Sequence, residues 1–158
     1  MNFKTIVCLC FIGMLTISCN KQEETTKQSS IIFSQGEKIT STNFKGTSYL
    51  QMLINADSLN QTSVGNVTFE PGARTKWHSH PAGQILLVTN GVGYYQEKGQ
   101  TKKILHKGDA IKCPPNVIHW HGASADHSFV QLAVTGREKG ETVWLNEVTD
   151  EEYNSTHN

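Results

Sequence analysis

Short apolar runs separated by turn residues recur between residues 49 and 135. Runs at 49–54 and 64–69 come first, followed by a turn at Pro71-Gly72. Residues 75–80 read as a strand. Residues 84–89 lead into Asn90-Gly91, the strongest short hairpin signal, and 92–96 read as its returning strand. Turn residues at 97–100 precede a strand at 102–106, and Lys107-Gly108-Asp109 precedes another at 110–113. After Pro114-Pro115-Asn116, residues 117–121 form a strand, 122–126 a loop and 128–135 the last long strand. Strands this short and evenly spaced predict an all-β sandwich or barrel and argue against a βαβ fold. In the tail, Thr149-Asp150-Glu151-Glu152 has capping-box spacing, which predicts one short helical turn.

The first residues break this pattern. A positive start at Lys4 is followed by a largely apolar run over 6–17, then Ser18-Cys19 and an abrupt polar stretch. Length and flanks predict a secretory signal peptide, too short for an anchoring helix. The ending Leu15-Thr16-Ile17-Ser18-Cys19 resembles a bacterial lipoprotein lipobox. That resemblance implies cleavage before Cys19, lipidation of its thiol, and contact with the membrane through the lipid anchor only. The protein would then be an exported lipoprotein, periplasmic or held at the outer membrane. Residues 20–30 carry no large apolar side chain and predict a solvated tether. The expected organisation is a signal at 1–18, a lipidated tether and N-terminal strand at 19–40, one folded domain at 41–153, and a tail at 154–158.

Charge changes the picture little. Fourteen basic and fourteen acidic side chains balance, so nothing implies a nucleic-acid partner. A hydrophobic share of 37% suffices for one core and falls short of a polytopic membrane protein. The four cysteines do not predict two disulfides: Cys8 and Cys10 leave with the signal and Cys19 is the lipid acceptor. Cys113 remains alone and is expected to be buried and inert.

The chemistry concentrates in histidines. Residues i and i+2 of a strand face the same way, so His78 and His80 share a face. Pro81-Ala82-Gly83 turns the chain, Gln84 opens the next strand, and His119 offers a third imidazole. Three His and one Gln converging in a small barrel would hold a divalent transition metal; manganese, iron, nickel and zinc all suit nitrogen and oxygen ligands without thiolate. These four ligands are neutral, so a dication would keep its full charge and act as a stronger Lewis acid than with Glu in the Gln84 place. The competing account is a set of structural histidines, each satisfied by hydrogen bonds. His121 lies two residues beyond His119 and is the candidate general acid or base. His106, His127 and His157 are expected to face solvent. Trp120 alternates with His119 and His121 and should pack on the outer side, against a partner subunit if edge strands close the barrel by homodimerisation. Gly65 and Val67 are small enough to line a cavity.

The stretch from Gly72 to Gly91 matches G-x5-H-x-H-x3-E-x6-G at every spacing, with Gln84 in the Glu place. The stretch from Gly108 to His119 matches G-x5-P-x-G-x2-H, with Asn116 for the second Gly. On these two motifs the chain resembles the cupins, which implies a small jelly-roll β-barrel with one metal held in its mouth by His78, His80, Gln84 and His119. Further wording is similar to single-domain cupins of the hydroxynitrile-lyase-like and carboxymuconolactone-decarboxylase-associated kind: Thr68-Phe69-Glu70-Pro71-Gly72-Ala73-Arg74-Thr75, His119-Trp120-His121-Gly122-Ala123, and Val148-Thr149-Asp150-Glu151-Glu152-Tyr153. This resemblance implies manganese, with Gln a normal fourth ligand. The chain departs from it at Gln131, where lyase-like members carry a further His. The function implied is that of a metal-dependent enzyme acting on a small carbonyl or hydroxyl compound, as a lyase, isomerase or oxygenase. The alternative is a non-catalytic small-molecule or sugar binder.

Overall fold

The computed structural model of the protein describes residues 32–155. The predicted signal peptide at 1–18, the expected lipid acceptor Cys19, the expected tether at 20–30 and His157 lie outside these residues. Twelve strands and one helix follow in order: β1 Glu37–Lys38, β2 Phe44–Lys45, β3 Ser48–Ile54, β4 Thr62–Phe69, β5 Arg74–Thr75, β6 His78–Ser79, β7 Gln84–Glu97, β8 Lys103–His106, β9 Ala110–Cys113, β10 His119–Ala123, β11 Phe129–Gly136, β12 Val143–Trp144 and α1 Asp150–Asn154. All strand pairs are antiparallel. One sheet runs β1-β3-β4-β11-β7-β9; the other holds β2, β5, β10, β7 and β8, with β6 bridging β10 and β12. The all-β barrel with a short C-terminal helical turn is thus what forms.

β7 belongs to both sheets. Its first half, from Gln84 to Gly91, pairs with β11 and its second half with β10. The predicted hairpin at Asn90-Gly91 is therefore not present: the chain continues as one 14-residue strand. The same local chemistry bends the strand instead of reversing it. The pairing slips opposite Val130/Gln131, and Gly91 sits at φ 78, where a side chain would meet the Ser128 carbonyl oxygen at 1.9 Å. A left-handed Gly in a bulge lets one strand pass from sheet to sheet. Tertiary pairing has overridden a turn signal.

Two further boundaries move. The predicted strand at 75–80 breaks at Lys76-Trp77, because the C-terminal segment pairs there: Trp77 N donates to Asn146 O at 3.0 Å and Leu145 N to Trp77 O at 2.8 Å. The strand predicted at 117–121 begins at His119, since Val117 still closes a turn on Pro114 and Asn116 is left-handed at φ 61. Asn tolerates that conformation better than most residues, which accounts for its standing where the motif carries Gly.

The main core lies between the sheets and is built by Phe69, Leu86, Tyr95, Phe129 and their neighbours. A second cluster of Trp77, Trp120, Val148 and Tyr153 lies beneath α1. Trp120 is fully buried there, with Nε1 donating to Gln96 Oε1 at 2.9 Å. What covers it is the chain's own tail. The expected packing against a partner subunit is corrected accordingly. The predicted capping box is formed: Thr149 Oγ1 accepts from Glu152 N while Glu152 Oε2 accepts from Thr149 N.

Candidate metal centre

β6 and β10 lie side by side with His78 opposite His119 in register. His80 follows β6 at the start of the turn in which Gly83 N donates to its carbonyl. This places one nitrogen from each of His78, His80 and His119 within 4.8 Å of one another, all buried. Gln84, the first residue of β7, is buried too, and its amide lies against His80. His121 stands on the same face of β10, its ring centroid 5.2 Å from that of His78.

The hydrogen bonds around these residues are one-sided. His78 Nδ1 donates to the Lys76 carbonyl at 2.9 Å and His119 Nδ1 to the Val117 carbonyl at 2.9 Å. His80 Nδ1 meets Thr142 Oγ1 at 3.2 Å. Gln84 Nε2 donates to Thr135 Oγ1 at 2.9 Å, the residue opposite it in the β7–β11 register. Each group is thus held from behind. By contrast, His80 Nε2, His119 Nε2 and Gln84 Oε1 are buried without a hydrogen-bond partner among the described residues. Burying an acceptor with nothing to accept costs about 1–3 kcal/mol. Three such atoms beside one another fit a cation, since metal-bound imidazoles characteristically donate their other N–H to a carbonyl or similar acceptor. They do not fit the account of structural histidines satisfied by hydrogen bonds.

Electrostatics favour the same state. Burial is the largest cause holding His78 well below the usual imidazole range, with His119 and His121 adding to it. Burial likewise lowers His80 to about 3, and lowers His119 and His121. All four rings are neutral near pH 7, the form in which an imidazole can bind a metal. Burial also pushes the Cys113 thiol up to about 12, so it carries no thiolate. His106 and His127 are exposed.

A cavity of about 200 Å³ is lined by His78, His80, Gln84 and His121. Gly65 and Val67 line it, as their strand position predicts, together with Phe44, Leu50, Met52 and Trp144. Trp144 lies 4.8 Å from the His78 ring, centroid to centroid. Sequence reasoning named Gln131 only as a departure. Here it is fully buried, and its Nε2 lies 2.9 Å from His121 Nδ1. An amide nitrogen only donates, so His121 Nδ1 accepts and the neutral ring carries its proton on Nε2. Thr135, Thr142 and Arg137 were missed altogether. Thr135 was legible in principle, by alternation along β11 from Gln131. Arg137 and Thr142 lie past the last long strand in a segment with no motif.

The matched family model is that of the cupin domain, over residues 65–135. An (R)-mandelonitrile lyase of Granulicella tundricola is 42% identical over 111 residues, which span 70% of this chain and 85% of that protein. A cupin-like protein from Thermotoga maritima has a solved structure 49% identical in sequence, with a TM-score of 0.74, matching 77% of this chain and 93% of that one. A cupin-2 domain from Rhodospirillum rubrum, 18% identical at a TM-score of 0.57, shares the fold across 74% of this chain and 75% of its own. The chain is a single-domain member of the cupin family, and its curled sheets are that family's jelly roll.

Proposed function

We propose that the protein is a metal-dependent enzyme acting on a small carbonyl or hydroxyl compound. His78, His80 and His119 would hold a divalent transition metal through Nε2, and Gln84 through Oε1. Manganese is the first candidate, by the resemblance of the motifs; iron, nickel and zinc suit the same donors. The carrying observation is the set of unpartnered atoms, His80 Nε2, His119 Nε2 and Gln84 Oε1, held from behind and buried side by side. Bound there, the metal would supply Lewis acidity toward a substrate oxygen, undiminished by any carboxylate ligand.

The protein's own residues do the rest. His121 presents Nε2–H to the cavity because Gln131 occupies Nδ1. It would donate a hydrogen bond, or its proton, to the substrate oxygen. The apolar walls from Phe44, Leu50 and Trp144 would exclude water and seat the organic body. The lyase named among the relatives makes lyase chemistry the first reaction class to assay. With Gln131 unable to titrate, proton transfer would fall to His121 alone. The second reading is a non-catalytic small-molecule binder, favoured by that same Gln131, which engages the one remaining imidazole.

As to placement, the protein would be an exported lipoprotein tethered through Cys19 and would form a homodimer. Elemental analysis of the purified protein tests the central claim. We expect about one transition-metal ion per chain, lost in His119→Ala with the fold retained by circular dichroism. Wild-type protein that binds none of the four metals would end the enzyme reading. Metal-loaded protein in which His121→Ala changes neither turnover nor ligand binding would remove His121 from it.

A further inference from the structure

Among the residues lining the cavity, one carries a permanent charge: Arg137. It follows β11 directly and stands at the mouth. Its Nε donates to Ser63 Oγ at 3.3 Å and its Nη1 to Thr142 Oγ1 at 3.3 Å. That same hydroxyl holds His80 Nδ1 at 3.2 Å, so the guanidinium stands two hydrogen bonds from a candidate metal ligand. No acidic residue lines the cavity. The carboxylate that does reach Arg137, Glu141 Oε2 at 2.8 Å on Nη1, comes from outside and is 87% exposed. An ion pair so exposed contributes little and exchanges readily. Nη2 has no partner among the described residues.

We infer that the substrate is a small organic carboxylate, its acid group seated on Arg137 and its carbonyl or hydroxyl oxygen directed toward the three histidines. This rests on the metal-site reading above and adds the substrate class to it. A guanidinium fork matches a carboxylate in shape as well as charge. Glu141 shows that a carboxylate reaches this guanidinium; a ligand carboxylate would take its place from the cavity side. The positive site at one end and Arg137 at the other concentrate anions in a cleft with no negative wall. The volume sets the size. Two hundred cubic ångströms corresponds to roughly six or seven waters. That suits a short 2-oxo or 2-hydroxy acid and lies below the ~300–1,000 Å³ of pockets for larger ligands.

The test is calorimetric binding of pyruvate and of its methyl ester to the metal-loaded full chain, with metal content measured on the same preparations. We expect the acid to bind at least about tenfold tighter than the ester. Arg137→Gln should erase most of that preference, Arg137→Lys should keep part of it, and Glu141→Gln should leave the acid bound as tightly or more so. A wild-type protein that binds acid and ester alike, or an Arg137→Gln variant with the preference intact, overturns the inference. Wild-type protein without metal overturns the metal reading instead, while the comparison of acid with ester still judges Arg137. Thermal melting of each variant separates loss of binding from loss of fold.

Discussion

The two faces of β10 and of the β5–β6 segment make opposite environments from alternate residues. His119 and His121 face inward, while Trp120 between them faces the tail; His78 faces inward, and Trp77 beside it faces the tail. On the tail side the buried charges, Arg74 and Lys102, are answered. Arg74 donates to Asp150 and to the Val148 carbonyl, and its guanidinium lies 4.4 Å from the Tyr153 ring centroid. Trp77 Nε1 and Lys98 Nζ both reach Glu152, and Lys102 Nζ donates to the Tyr153 carbonyl. On the inner side the backs of the side chains are answered and their front atoms are not. One face is closed chemically; the other keeps donors in reserve. The pleat of a strand lets a single stretch carry both, because neighbouring side chains never share a face.

The largest effect should come from the closed face. Trp120→Ala removes a fully buried side chain and should cost about 3–5 kcal/mol of folding stability, read by denaturant unfolding. The three histidines should still bind metal in whatever fraction folds. Next comes the open face: removing the metal with a chelator should lower stability by about 2.7 kcal/mol relative to protein held at one hundred times the dissociation constant. A melting temperature indifferent to metal would mean that the inner face holds no ion. Thr135→Val is smaller. It frees the Gln84 amide without touching the histidines and should weaken metal binding by about 10–100-fold, measured by competition with a chromogenic chelator.

The smallest effect is the share of the pH dependence that Asp150 gives the tail. Hydrogen bonds from Lys45 first, then Arg74, hold the Asp150 carboxyl below its usual 3.8. A depressed acid stabilises the fold above its unfolded value and loses that contribution as pH falls through the folded one. Acidification through about pH 4 should therefore loosen α1, seen as faster exchange of the Tyr153 amide. Asp150→Asn should reduce that pH dependence and leave the part that Glu152, also held low, contributes. A Tyr153 amide whose exchange does not respond to pH in this window would remove Asp150 from the account.

Legibility in the sequence followed the range of the interaction. His78 and His80 were readable as a pair because strand alternation is local, and motif spacing supplied His119 and Gln84. The capping box at Thr149 was readable for the same reason, since its partners lie three residues apart. Asn90-Gly91 misled because the bend it makes is set by β11 and β10, strands that begin tens of residues later. Thr142 left no trace, because the pairing of β12 with β6 brings it to the cavity, and Arg137 is placed by the long-range pairing of β11, which it follows.

β7 has a bearing on how the molecule comes apart. A single rib threads both sheets, and its midpoint is clamped where Gly91 passes the Ser128 carbonyl. Neither sheet can peel off while leaving the other whole, so melting should be all-or-none across the barrel. During synthesis the first half of that rib must wait, incompletely paired, until β11 emerges from the ribosome.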